Sequence, residues 1–253
     1  MRPVVVDIAR LNALRGVERS GDAVTIGALV THSEIMASKV IADLFPALVD
    51  AAHTIGAVQT RNLGTLGGNL VTAVPSMDSG PTLVALDAQA VIAGSNGKRS
   101  VPLADFFVGP RRTVLKADEL LVEIVIPKAN LGKPAHFLKT GLRKGQALAL
   151  VNAAGSLWVD AKKNTCRDVR IALGAVAPTV IRATTAEQFL EGRAATPENC
   201  AEAGRLAVED ARPISDMRAS AEYRRDLVAV LTKRVLEAAC AQGRATKQKG
   251  TRK

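Results

Sequence analysis

RNLGTLGGNL, residues 61–70, sets three glycines (Gly64, Gly67, Gly68) and Asn69 among apolar residues. Without a Cβ, a glycine lets its backbone come close to another group, and successive exposed N–H groups make a concavity suited to a phosphate or diphosphate. Thr65 and Asn69 add a hydroxyl and an amide to those donors. The spacing G-x-x-G-G is neither the G-x-G-x-x-G of dinucleotide-binding βαβ units nor a Walker loop, since no Gly-Lys-Ser/Thr follows. On spacing alone, a tight structural turn explains the stretch as well as a ligand does.

Upstream, residues 23–28 (AVTIGA) read as a strand, and Thr31 with Glu34 has the spacing of a capping box that starts a helix. Pro46 suits the first turn of another helix, which runs through residues 47–52 and stops near Gly56. Downstream, residues 81–86 read as a short helix, and residues 88–93 as a strand turning at SNGK (95–98) into a second strand that ends at Pro102. Asn96-Gly97 is a hairpin signal because both residues tolerate positive φ. ELLVEIVIP (119–127) is a mostly buried strand stopped by Pro127.

PKANLGKP (127–134) marks a domain boundary. Beyond it come strand-like runs at 135–142, 147–159 and 166–176, the last two joined by the polar turn DAKKN. Helices follow: Thr184 with Glu187 repeats the capping-box spacing, and Thr196-Pro197 is an N-cap followed by proline. Tyr223, Leu227, Leu231 and Val235 mark the buried face of the last helix. The second half reads as an antiparallel sheet backed by helices, and the whole chain as α+β.

With 253 residues, 47% of them hydrophobic, the chain suffices for one large domain or two modest ones. No run approaches the roughly 20 apolar residues of a membrane span, and the first residues have no signal-like character, so a cytoplasmic location is expected. The net charge of +10 is concentrated late: GRATKQKGTRK (243–253) holds five of the basic residues and no acid. We expect residues 242–253 to be a basic disordered tail rather than a nucleic-acid contact, since aromatics make up only 3% of the chain and offer no stacking platform. Cys166, Cys200 and Cys240 lie 34 and 40 residues apart without C-x-x-C spacing, which disfavours a disulfide framework, a zinc site or an iron–sulfur site. His32, His53 and His136 likewise show no ligand spacing. No metal ligands are expected.

RNLGTLGGNL followed by SMDSGPTLVALDA resembles the FAD-binding medium subunit of the molybdenum hydroxylases, the family of xanthine dehydrogenase and carbon monoxide dehydrogenase. PVVVDIARLNALRGV, IGALVTHSEI, ELLVEIVIP, FLKTGLRKGQALALVNAA and DMRASAEYRR are similar to further blocks of that family, in family order, over residues 3 to 240. The resemblance implies a vanillyl-alcohol-oxidase (PCMH)-type FAD-binding domain over residues 1–128 and a CO-dehydrogenase-flavoprotein-like C-terminal domain, an antiparallel sheet with helices, over 134–241. Family members begin earlier, with a first pyrophosphate loop of the type A-G-G-x-T/S/H, so the FAD-binding domain reads as truncated. A late-assigned start, a separate chain carrying the front end and a true loss are the explanations, the first being favoured.

By the same resemblance Thr65, Gly67, Gly68 and Asn69 grip the FAD pyrophosphate, with Gly64 beside them and Arg61 adding charge. Asp78 lies near the flavin or its ribityl chain, Lys139 beside the isoalloxazine, and Leu120 (with Leu121) against the ring. Each has an ordinary alternative: a helix-start carboxylate for Asp78, a solvated strand lysine for Lys139, a salt bridge for Arg61 and a core strand for Leu120. The implied function is electron transfer in a heteromeric oxidoreductase. A large partner holds molybdopterin, a small partner holds the [2Fe-2S] clusters, and FAD here passes electrons to an external acceptor, with no catalytic side chain required. The alternative is a flavin-free structural or assembly subunit of such a complex.

Overall fold

The structure, a computed structural model, describes residues 4–250. The chain opens with an antiparallel ribbon, β1 (Val17–Ser20) and β2 (Ala23–Gly27), then enters a run of short helices: α1 (His32–Ala37), α2 (Lys39–Leu44), α3 (Pro46–His53), α4 (Val58–Leu63), α5 (Leu66–Thr72) and α6 (Ser79–Ala85). The capping box is present at α1, where Thr31 Oγ1 accepts from Glu34 N and Glu34 Oε2 accepts from Thr31 N, and Pro46 opens α3. After α6 come β3 (Gln89–Gly94), β4 (Gly97–Pro102), α7 (Leu103–Phe106), the small pair β5 (Phe107–Gly109) and β6 (Arg112–Thr113), and β7 (Leu120–Pro127). The β3–β4 turn closes on Gly94 and Gly97, and Gly97 alone takes the positive φ there, at 102°. The five-stranded sheet has the order β1-β2-β7-β3-β4, antiparallel throughout. β7 is central, which explains its nearly unbroken apolar run.

The second half is a four-stranded antiparallel sheet, β8 (Ala135–Gly141), β9 (Ala149–Val159), β10 (Cys166–Gly174) and β11 (Ile181–Arg182), ordered β11-β10-β9-β8. Helices α8 (Thr184–Leu190), α9 (Pro197–Asp210) and α10 (Ala221–Gly250) complete it. A core of Leu157, Ile171, Leu190, Ala203, Val228 and Val235 joins sheet and helices. Thr196 caps α9 as its sequence indicates.

Three expectations are corrected. Thr184 does not cap α8. The N-cap is Ala183, whose methyl offers no acceptor, and Glu187 is taken by the Ile171 amide and the Arg182 guanidinium. Tyr223 is half-exposed, and its neighbour Arg224 turns inward to donate to Leu150 O and Asp216, so the buried face of α10 begins one residue later. Residues 242–250 continue α10 as helix, not as a disordered tail, and the rest of that segment lies outside the described residues.

The core of the first half extends into the second. α6 is buried at every position, and Ala135, Phe137, Ala154, Ala172 and Val180 of the second half belong to the same apolar cluster as Leu83, Ile124 and Phe106. From β9, Ser156 Oγ donates to Ala85 O at 2.6 Å and Asn152 Nδ2 to Met77 O at 2.9 Å, tying the strand to both ends of α6. This packing puts the start of α6 against the end of β8. Among the described residues no helix is long and apolar enough to cross a membrane.

Candidate functional site

The glycine-rich stretch is not a loop but the junction of α4 and α5. Gly64 O accepts from His32 N at 3.1 Å, Leu66 N donates to Val30 O at 2.8 Å and Gly67 N to Ala28 O at 2.9 Å, so the start of α5 is stitched to the segment between β2 and α1. Thr65 is the N-cap, its Oγ1 accepting from Gly68 N at 3.0 Å and its carbonyl from Asn69 N. The first four N–H groups of α5 therefore all have protein acceptors. The cradle of free backbone donors anticipated from the glycines is absent, and the donors left at this end are the Thr65 hydroxyl and the Asn69 amide, whose Oδ1 accepts from Ser79 Oγ at 2.5 Å.

Close approach does explain one glycine, though toward the protein itself. A Cβ on buried Gly67 would stand 2.7 Å from both Cβ and O of Ala28. Gly68 is exposed and presents bare backbone outward. Beside Gly64, His32 is buried, with no partner for Nδ1 among the described residues. Burial, and the charge of Arg61 after it, hold its imidazole down at about 4, hence neutral.

The start of α6 carries the second feature. Lys139 on β8 donates from Nζ to Asp78 Oδ2 at 2.5 Å and to Thr54 O at 3.1 Å, and Asn152 Nδ2 donates to Asp78 Oδ1 at 2.9 Å. Both charged side chains are only 8% exposed. Burial raises the Asp78 carboxyl above its ordinary range, against the opposing pull of the Lys139 ammonium and of the hydrogen bonds from Lys139 and Asn152. Asn152 faces Lys139 across the β8–β9 ladder, which is why one amide in an apolar strand reaches this carboxylate. Its legible signal was a lone asparagine within LVNAAG, which sequence reasoning passed over.

These residues line two adjoining clefts. Asn69, Ser76, Asp78 and Gln146 border one of about 360 Å³, and Lys139, Arg143 and Lys144 one of about 420 Å³, with Ala147 common to both. Arg143 holds the intervening turn through Gly145 O and Gln146 O. Arg61 turns away from the cleft, donating to His53 O and Ile55 O so that it closes the end of α3. Leu120, 37% exposed at the head of β7, borders neither cleft. Of the residues singled out from sequence, the fold thus brings Asn69, Asp78 and Lys139 to the cleft walls, puts Gly64, Thr65, Gly67 and Gly68 at the helix start that carries Asn69, and leaves Arg61 and Leu120 aside. Among the described residues no three His, Cys, Asp or Glu side chains are grouped to hold a metal ion.

Two family profiles account for the chain. The FAD binding domain in molybdopterin dehydrogenase matches residues 1–129, and the CO dehydrogenase flavoprotein C-terminal domain matches residues 136–239. The carbon monoxide dehydrogenase medium chain of Hydrogenophaga pseudoflava is 33% identical over 94% of this chain and 82% of its own length. The xanthine dehydrogenase FAD-binding subunit of Escherichia coli O157:H7 is 32% identical over 94% of this chain and 81% of its own length. Among solved structures, carbon monoxide dehydrogenase from Hydrogenophaga pseudoflava aligns with a TM-score of 0.89 at 34% identity, over 93% of this chain and 81% of the other. Quinoline 2-oxidoreductase from Pseudomonas putida 86 aligns with 0.87 at 33% identity, over 94% and 82%. On the strength of both profiles and of these collinear likenesses, the chain belongs to the FAD-binding medium subunits of the molybdenum hydroxylases, an oxidoreductase family.

Proposed function

We propose that this chain binds FAD along the two adjoining clefts and, within a cytoplasmic heteromeric molybdopterin-dependent hydroxylase or dehydrogenase, passes electrons from iron–sulfur clusters to an external acceptor. The partners in this reading are a large molybdopterin-binding subunit and a small [2Fe-2S] subunit. The observation that carries the proposal is the buried Lys139–Asp78 pair on the cleft wall. An ammonium has three donors; Thr54 O and Asp78 take two, which leaves one for an acceptor in the cleft.

The donor set fits the cofactor. The Thr65 hydroxyl and the Asn69 amide serve a diphosphate at the start of α5, and exposed Gly68 keeps side-chain atoms out of its way. Gly64 and Gly67 set the position of that helix. Arg61 acts at one remove, by fixing the end of α3, and Leu120, away from both clefts, has no part in this reading. When bound, FAD supplies the electron-accepting and electron-donating chemistry. The chain's own part is to hold a cation at Nζ of Lys139, where it stabilises negative charge on the ring, and to keep that cation in place through Asp78 and Asn152.

Titration of the purified chain with FAD, followed by flavin absorbance and fluorescence, tests this. One equivalent is expected to bind, with affinity falling roughly tenfold or more (about 1.4 kcal/mol) in Asn69→Ala and Gly68→Val. Lys139→Met is expected to lower the midpoint potential of the bound flavin. A folded chain that takes up no FAD, both alone and with the front-end loop segment restored, sinks the reading and leaves the flavin-free assembly subunit.

A further inference from the structure

The cysteines of this chain are far apart in sequence, yet all three meet. Cys166 is the first residue of β10, Cys200 lies near the start of α9 and Cys240 is on α10. Cys240 Sγ stands 4.0 Å from the sulfur of each of the other two. All three are free thiols, at most 1% exposed. Arg244, one turn further along α10, anchors its guanidinium on Ala195 O at 2.8 Å and sets its charge beside Cys240 and Cys166.

The arrangement is asymmetric in a chemically useful way. Of the three, only Cys240 touches both other sulfurs, so Cys166 and Cys200 can each donate to it; those contacts and the Arg244 charge favour the thiolate at Cys240 against the effect of burial, while the same contacts push the other two thiols up. Each of the other two thiols also has a carboxylate that opposes a thiolate, Glu191 for Cys166 and Glu237 for Cys200, but only Cys166 has the Arg244 charge as well. The surface nearest the cluster lies on the Cys166 side. Cys166 lies two residues beyond the exposed turn 161–164, and its backbone pairs with exposed Gly192 and Arg193. A disulfide needs its sulfurs about 2 Å apart, so each must move by about 1 Å from the present spacing, within reach of side-chain rotation.

We propose that Cys240 is a peroxide-sensitive site that closes a disulfide with Cys166. Attack of the Cys240 thiolate on a peroxide breaks the O–O bond, leaving a sulfenic acid and releasing hydroxide. The Cys166 thiol then attacks that sulfur: the S–S bond forms, the S–O bond breaks, and the oxygen departs as water with the thiol proton. One thiolate, one thiol and one peroxide thus give one disulfide, one hydroxide and one water. The cross-link ties α10 to the edge of the sheet, and Cys200 stays as the remaining thiol.

Hydrogen peroxide is added to the reduced full-length chain, which is then denatured, alkylated and weighed intact. The expected result, once the alkyl groups are subtracted, is a loss of about 2 Da, with one alkylatable thiol where the reduced chain has three and a cross-linked peptide joining Cys166 to Cys240. Cys200→Ser keeps the cross-link and Cys240→Ser abolishes it. Far-UV circular dichroism and a Cys240→Ala variant guard against misfolding of the serine form. Three thiols still alkylatable after peroxide in a folded chain overturn the proposal, as do gain of oxygen without cross-linking, a cross-link persisting in Cys240→Ser, or one joining Cys200 to Cys240.

Discussion

His32 shows how much one side chain can impose. Its imidazole titrates near 4 in the folded chain, against an ordinary 6.5 once unfolded. Between those values the unfolded chain binds the extra proton, so stability from this residue is full above pH 6.5 and is lost as pH falls through the window to 4. At about 1.4 kcal/mol per pH unit the loss is roughly 3 kcal/mol. Asp78 acts with the opposite sign, because a raised carboxyl contributes stability at low pH that is lost as pH rises through its folded value. Urea unfolding from pH 7.5 to 4 is expected to show a loss that is roughly 3 kcal/mol smaller in His32→Phe, which cannot charge. An unchanged slope in that variant removes His32 as the source.

At the scale of elements, the two glycines at the start of α5 behave oppositely. Gly67→Ala forces a Cβ to 2.7 Å from Ala28 and its carbonyl, backbone that cannot give way cheaply, and is expected to cost about 1–3 kcal/mol in urea unfolding. Gly68→Ala meets only Thr65 Oγ1 at 2.9 Å. Losing that cap costs about 1 kcal/mol, replacing a helical glycine returns about the same, and the net is expected near zero. Equal costs for the two would contradict the packing account. The contrast also explains what was legible. The box at Thr31, the proline at α3, the Asn96-Gly97 turn and the Thr196 cap could be read because cause and effect lie within a few residues. The helical nature of the glycine stretch could not, since its amides are claimed by Ala28 and Val30, far back in the chain. Glu187 has capping-box spacing but is drawn off by Ile171 and Arg182, which a local pattern does not reveal. At the candidate clefts, the resemblance singled out Asn69, Asp78 and Lys139, which the fold brings to the walls, whereas Asn152 enters only through the β8–β9 register.

Over the whole molecule, two family domains are fused by a shared core, because α6 packs beneath β9 and β10 as well as in its own half. Differential scanning calorimetry is accordingly expected to show one transition rather than two, with calorimetric and van't Hoff enthalpies in agreement. Around the linker the junction is ionic. Lys133, whose side chain is fully buried, holds Asp168 Oδ2 at 2.7 Å; Asp168 also holds Arg170, and Arg170 reaches Asp87 just past α6. Desolvation lowers the Lys133 ammonium from its usual range, so the charge is retained at a cost that Asp168 offsets. The two partners are therefore not equivalent. Lys133→Met removes the buried charge, and Asp168, 37% exposed and still paired with Arg170, tolerates the loss; a change within about 1 kcal/mol is expected. Asp168→Asn, chosen because asparagine accepts the positive φ of 51° at this position, leaves the ammonium buried without its counterion and is expected to cost about 3 kcal/mol or more. If stranded charge is the cause, adding Lys133→Met to Asp168→Asn restores most of the lost stability in urea unfolding. If both single variants cost the same and the double costs their sum, the junction is held by packing, and the ion pair is incidental to it.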